Sequence, residues 1–241
     1  MDSAASYARF DTTSWSLVLA AGATAPQAHD ALTALCRAYW QPLYAFLRRQ
    51  GTPEHDAKDL VQGFFLHLLA SRTFTRADPT RGRFRSYLIG ALKHFVADEN
   101  ARRNAAKRGG DTPTFSLDDR SAEPRLLEPA CAALGPEALY ERQWALAVIE
   151  ISLARVESLY RERDRLALYH TLRPSLTGEL AAPRLDAVAR EHGLTVGAVK
   201  TAAHRLRQEF QTELRREIAR TVATPADVAD ELLHLRAVLS R

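Results

Sequence analysis

Cysteine is nearly absent from this chain, with only Cys36 and Cys131 in 241 residues. The two match no metal-ligand spacing and read as small apolar fillers of a protein kept in a reducing, cytoplasmic setting. Long hydrophobic runs are absent too. No basic N-terminal stretch leads into an apolar one, so no signal peptide is expected. No apolar segment approaches the length that spans a bilayer, so no membrane partner is expected. Val, Ile and Thr are sparse and never alternate over a strand length, which argues against sheets. There is no Gly-rich phosphate loop, no HExxH and no nucleophile motif around a Ser or Cys. The eight histidines (His29, His55, His67, His94, His170, His192, His204 and His234) are scattered. An enzyme is therefore not expected, and neither a cofactor nor a metal is.

What is present is helical periodicity. The most telling stretch is Leu185–Arg207, LDAVAREHGLTVGAVKTAAHRLR. It reads as a helix, a turn at His192-Gly193-Leu194, and a second helix capped by Thr195. At 100° per residue, Val199, Ala202, Ala203, Leu206, Phe210 and Leu214 form one apolar stripe. The opposite side carries Gly197, Lys200, Thr201, His204, Arg205 and Gln208. Such side chains can donate to base edges or phosphates, and a glycine lets a backbone come close. With Thr195 these are the candidate duplex-DNA residues.

Hydrophobic residues make up 46% of the chain, enough for real cores, and the net charge is +4. The charge is unevenly spread. From Arg72 to Arg108, ten basic residues face only Asp78, Asp98 and Glu99. From Asp111 to Glu141 the sign reverses, with Arg120 and Arg125 against seven acids. Residues 1–25 read as an N-terminal arm with a short helix after Thr13. Residues 26–110 read as a helical domain. One helix carries Leu32, Leu35, Tyr39, Leu43 and Phe46 on a face and ends at Gly51. The next has Thr52 as N-cap and Pro53 at its first position. A polar basic loop follows, and a long helix begins at Phe84. Residues 111–135, with Pro113, Pro124, Pro129 and Gly135, read as an acidic linker. Residues 136–216 read as a second helical domain that starts with one long helix over 136–171. Residues 217–241 read as an extension whose last helix opens at Thr224-Pro225. The expected fold is all-α, two helical domains joined by the linker.

The helix from Phe84 buries Phe84, Leu88, Ala91, Leu92 and Phe95 in this reading. Ser86, Lys93 and Asn100, spaced by seven, align on another side, with Tyr87 and His94 flanking them. Arg83 and Arg85 stand at its start and Arg102, Arg103, Lys107 and Arg108 at its end. Rings on which bases stack, beside cations that hold phosphates, suit single-stranded DNA.

Two segments carry a resemblance. Asp56-Ala57-Lys58-Asp59-Leu60-Val61-Gln62-Gly63-Phe64-Phe65 and Phe84-Arg85-Ser86-Tyr87-Leu88 resemble the D-A-E-D-L-x-Q-E-x-F and F-R-x-[WY]-L segments of extracytoplasmic-function (ECF) sigma factors. Gly193–Arg205 resembles that family's G-x-[ST]-x-G-[TA]-V-K-[ST]-x-x-x-R. The resemblance covers roughly residues 26 to 108 and 136 to 216, with two motifs in the family's order. It implies that 26–110 is sigma domain two and 136–216 is sigma domain four. Asp56, Asp59 and Gln62 would dock core RNA polymerase. Arg83, Arg85, Ser86, Tyr87, Lys93, Asn100 and Arg103 would hold the non-template strand of the −10 promoter element, with the loop from Ser71 to Arg83 walling a flipped base. The helix-turn-helix would read the −35 element, and the linker would thread the polymerase's channels.

The docking helix departs from that pattern, with Lys58 and Gly63 where the family carries Glu. A phosphate on Thr52 would return negative charge to a helix N-terminus, which favours anions. Thr73 and Thr75 are further acceptors. A Ser/Thr kinase and an anti-sigma factor are the regulatory partners this reading suggests. The rival is a stand-alone helix-turn-helix regulator that binds duplex DNA without polymerase.

Overall fold

The computed structural model describes residues 38–70, 83–107, 133–176, 182–222, 224 and 226–240. The expectations for the N-terminal arm, Leu32, Leu35, the loop 71–82 with Thr73 and Thr75, most of the linker, and both cysteines lie outside them. The described residues are helical and carry no strand, so the fold is all-α. The helices are α1 (38–49), α2 (Glu54–Ala70), α3 (Phe84–Lys107), α4 (Pro136–Glu162), α5 (Leu166–Leu172), α6 (Ala182–Glu191), α7 (Val196–Ala219) and α8 (Asp227–Leu239), with one 3-10 turn at Arg173–Leu176.

The described residues fall into two compact units. The first runs up to Ala147 and resumes at Ala219; the second is Val148–Ile218. The division thus falls inside α4 and at the end of α7. The first turns of α4 and the whole of α8 belong to the same unit as α1, α2 and α3.

In the first unit, Tyr39, Leu43 and Phe46 of α1 are buried with Phe64 of α2 and Phe84, Leu88 and Leu92 of α3. Phe84 meets the edge of Tyr39 at 5.3 Å between centroids, and Phe95 meets Phe64 at 5.7 Å. Such pairs add a little beyond their buried area. Gly51 closes α1 in the left-handed region (φ 88°), with the Thr52 N–H donating to the Leu47 carbonyl. A glycine meets that backbone geometry without the Cβ clash. From α4 and α8, Leu139, Tyr140, Trp144, Leu235 and Val238 are buried in the same unit. Thr224 opens the approach to α8: its hydroxyl donates to Asp227 Oδ2 at 2.7 Å, and its N–H donates there at 3.2 Å.

The second unit is built around Val156, Tyr160, Tyr169, Leu172, Val188, Val199 and Leu206. The expected single helix over 136–171 is two helices. The chain breaks at Asp164, whose φ of 56° lies in the left-handed region, while the Arg165 N–H returns to the Tyr160 carbonyl at 2.8 Å. Aspartate tolerates that conformation better than most side chains, and no Gly or Pro announces the break.

Candidate nucleic-acid and polymerase interface

Helices α6 and α7 and the turn between them form as their residues dictate. Gly193 takes a φ of 63°, and the Leu194 N–H donates to the Ala189 carbonyl at 2.8 Å, which ends α6. Thr195 Oγ1 accepts from the Ala198 N–H at 3.1 Å, the N-cap bond that starts α7. Val199, Ala203 and Leu206 are buried, with Ala202 and Phe210 packed against them. Thr195, Gly197, Lys200, Thr201, His204, Arg205 and Gln208 are all exposed. Thr201 and Arg205 border an open groove of about 620 Å³ whose walls include Tyr160 and Arg165. Arg163, bonded to Glu209 at 2.6 Å, stands beside it.

On α2, the buried side is Ala57, Leu60, Val61, Phe64, Phe65 and Leu68. Asp59 and Gln62 are exposed, and Asp56 is half-buried. Leu66 shares their face and is 57% exposed. It was missed in the sequence, although its place seven residues after Asp59 sets it off the buried stripe. A leucine amid polar groups suits a protein surface better than a phosphate backbone. The acids of this face have neighbours within the chain: Asp59 bonds His55 at 3.1 Å, Asp56 lies 3.9 Å from Arg103, and Lys58 pairs with Glu54. A Cβ at Gly63 would meet the Phe95 ring at 3.4 Å, an ordinary van der Waals contact, so packing does not demand glycine there.

Thr52 does not cap α2. The first helical bond runs from the Ala57 N–H to the Pro53 carbonyl, so Pro53 is the cap residue and Thr52 lies one position outside. The Thr52 carbonyl accepts from the Arg48 guanidinium at 2.7 Å, and the residue is half-buried.

On α3 the predicted residues separate. Ser86, Lys93, Asn100 and Arg103 are exposed, and Tyr87 is half-buried. Tyr87 borders a groove of about 560 Å³ between α2 and α3 with His67, His94 and Asp98. Burial raises its phenol pKa above the ordinary 10. Arg85 does not present itself to solvent: only 2% of it is exposed. Its Nε donates to Glu141 Oε2 at 2.6 Å, a second nitrogen pairs with Glu231, and the guanidinium lies 4.5 Å over the Trp144 ring. Burial pulls its pKa down and Glu141 opposes that. The Tyr140 hydroxyl donates to the Arg85 carbonyl at 3.0 Å. Arg83 Nε reaches Glu231 Oε2 at 3.0 Å. Lys93 bonds Glu137 at 2.8 Å and holds its carboxyl below the ordinary 4.5. His234 of α8 completes the cluster, bonding Glu141 at 2.9 Å. No carboxylate of this cluster could be assigned from the sequence, because none is near its cation along the chain.

Among the described residues no group of His, Cys, Asp or Glu could hold a metal ion, and no described helix is long and apolar enough to cross a membrane.

Residues 35–106 match the family described as Sigma-70 region 2. The matched span runs over α1, α2 and nearly all of α3. The matched residues, under a third of the chain, are similar to a sigma-70 region 2. The match supports a role in promoter recognition, with core RNA polymerase and promoter DNA as partners. No curated protein and no solved structure matches the chain.

Proposed function

We propose that the chain is a sigma factor of the extracytoplasmic-function kind. The α2 face of Asp56, Asp59, Gln62 and Leu66 docks core polymerase. The α3 face opens the −10 element and holds its non-template strand. Helix α7 reads the −35 element in duplex form. RNA synthesis itself belongs to the polymerase. The observation that carries this reading is that the match to Sigma-70 region 2 falls on the helices that display Ser86, Lys93 and Asn100 in one exposed row. In this reading 26–110 is domain two and 136–216 supplies domain four, with the linker between. Run-off transcription on the segment upstream of the chain's own gene tests it. A discrete transcript is expected only when core polymerase and the chain are both present; its absence sinks the proposal.

Regulation through a kinase or an anti-sigma factor belongs to the same reading. A phosphate on Thr52 would stand just before α2, where free helical N–H groups and the dipole favour an anion. Transcription by wild type with and without kinase, compared with Thr52→Ala, decides it.

A second reading is favoured by the full exposure of the α7 face. A stand-alone regulator would use that face on duplex DNA without polymerase. It predicts a gel shift by the chain alone and no copurification with core polymerase.

A further inference from the structure

We propose that helix α8, together with the first turns of α4, is an internal cap that withholds the cations of α3 from DNA. This rests on the promoter-recognition reading, which makes α3 a nucleic-acid surface.

The cap is built from carboxylates. Glu231 of α8 meets Arg83 and Arg85, Glu141 of α4 meets Arg85, and Glu137 of α4 meets Lys93. A carboxylate oxygen accepts from guanidinium and ammonium groups as a phosphate oxygen does. The predicted strand-binding residues that lack charge, Ser86 and Asn100, stay exposed. Covering thus falls on the cations at and near the start of α3, while Arg103, further along the helix, stays exposed outside the cap. Replacing a carboxylate by a phosphate keeps the cation paired, so only the difference between two anions has to be supplied.

The contact is also imperfect. Gln143 Nε2 and Trp144 Nε1, both on the capping turns of α4, are buried without a hydrogen-bond partner. Buried donors are paired in most native packing, and Trp144, whose ring lies against Arg85 and His234, leaves one unpaired within this contact. The pairs grade from rim to centre: Lys93 and Glu137 are exposed, Arg83 is 41% exposed, and Arg85 is buried. An incoming strand can exchange the outer pair before the inner one.

The test measures binding of fluorescein-labelled oligothymidylate to the full chain and to a Glu231→Gln, Glu137→Gln double variant. Glutamine keeps an accepting oxygen and Arg85 keeps Glu141, and circular dichroism checks that the variant is folded. Affinity of the variant is expected to tighten by about tenfold, with a salt slope steeper by about 0.7 per cation freed. Hydrogen exchange on wild type is the second measurement and needs no variant: amides of 227–239 should exchange faster when the oligonucleotide is bound. Unchanged affinity in a folded variant overturns the cap, as does undiminished protection of 227–239 in the bound state. Retention on core polymerase, in which Glu231 has no part, separates the two readings. Retention without a change in DNA affinity refutes the cap alone; no retention refutes the sigma reading, and the cap falls with it.

Discussion

Helices α3 and α7 are each 24 residues long, and each sets a polar, basic face against a buried apolar one. On α7 every predicted DNA residue is exposed. On α3 the cations Arg83, Arg85 and Lys93 are met by Glu231, Glu141 and Glu137. The same local pattern leads to an open face in one unit and, in the other, to a face whose leading cations are paired with carboxylates. Helical periodicity tells which side of a helix avoids the core of its own neighbours; it does not tell what arrives on that side from far along the chain.

The largest effect expected from breaking this contrast is at Arg85. Arg85→Ala strands the fully buried Glu231 carboxylate without its nearest cation, and removing one partner of a buried pair costs about 3–5 kcal/mol. Urea unfolding should show that loss. A change under about 1 kcal/mol would mean that Arg85 is not held as described. Its counterpart on the open face behaves differently. Arg205→Ala leaves stability within about 0.5 kcal/mol and weakens duplex binding by about 1–3 kcal/mol if the guanidinium reads a base edge. Fluorescence anisotropy of holoenzyme on a labelled promoter measures it, and equal weakening on every sequence would assign Arg205 to phosphate instead.

Thr195→Ala sharpens the comparison from the helix end. Loss of the Thr195 cap bond should cost about 1 kcal/mol, whereas Thr52→Ala, outside α2, should cost clearly less in the same thermal-melt series. The smallest effect is at the rim of the covered face. Glu137 has a folded pKa below its ordinary 4.5, so its bond to Lys93 favours the folded state above that value and is lost as pH falls through the lowered folded value. The pair is exposed and worth a fraction of a kcal/mol. An NMR titration of the Glu137 side-chain carboxyl should place its midpoint below 4.5; a midpoint at or above it would remove the Lys93 contact.

Much of the site was legible in the residues. Gly193 and Thr195 announce a turn and a cap by their chemistry, and the spacing of Val199, Ala203 and Leu206 fixes which side of α7 faces water. The same logic placed Ser86, Lys93 and Asn100 on one exposed row. The break at Asp164 was not legible, because a left-handed aspartate carries no signal that separates it from a helical one. Leu66 was legible by position but hidden by its type, since an apolar residue in a helix is assigned to the core by habit. Arg85 was misplaced for a deeper reason. A guanidinium at the start of a basic helix looks solvated unless its carboxylates are known, and they lie 56 residues away at Glu141 and still further at Glu231.

By itself, the sequence determined the helices, their capped ends and their apolar faces, because those depend on groups within a few residues of one another. It also determined the two motifs that point to promoter DNA. Only the tertiary structure decided that the first turns of α4 and the whole of α8 join the unit of α1, α2 and α3, and that their carboxylates meet Arg83, Arg85 and Lys93. Pairing between charges depends on distance in space, and the fold, not local spacing, sets that distance for residues so far apart in the chain.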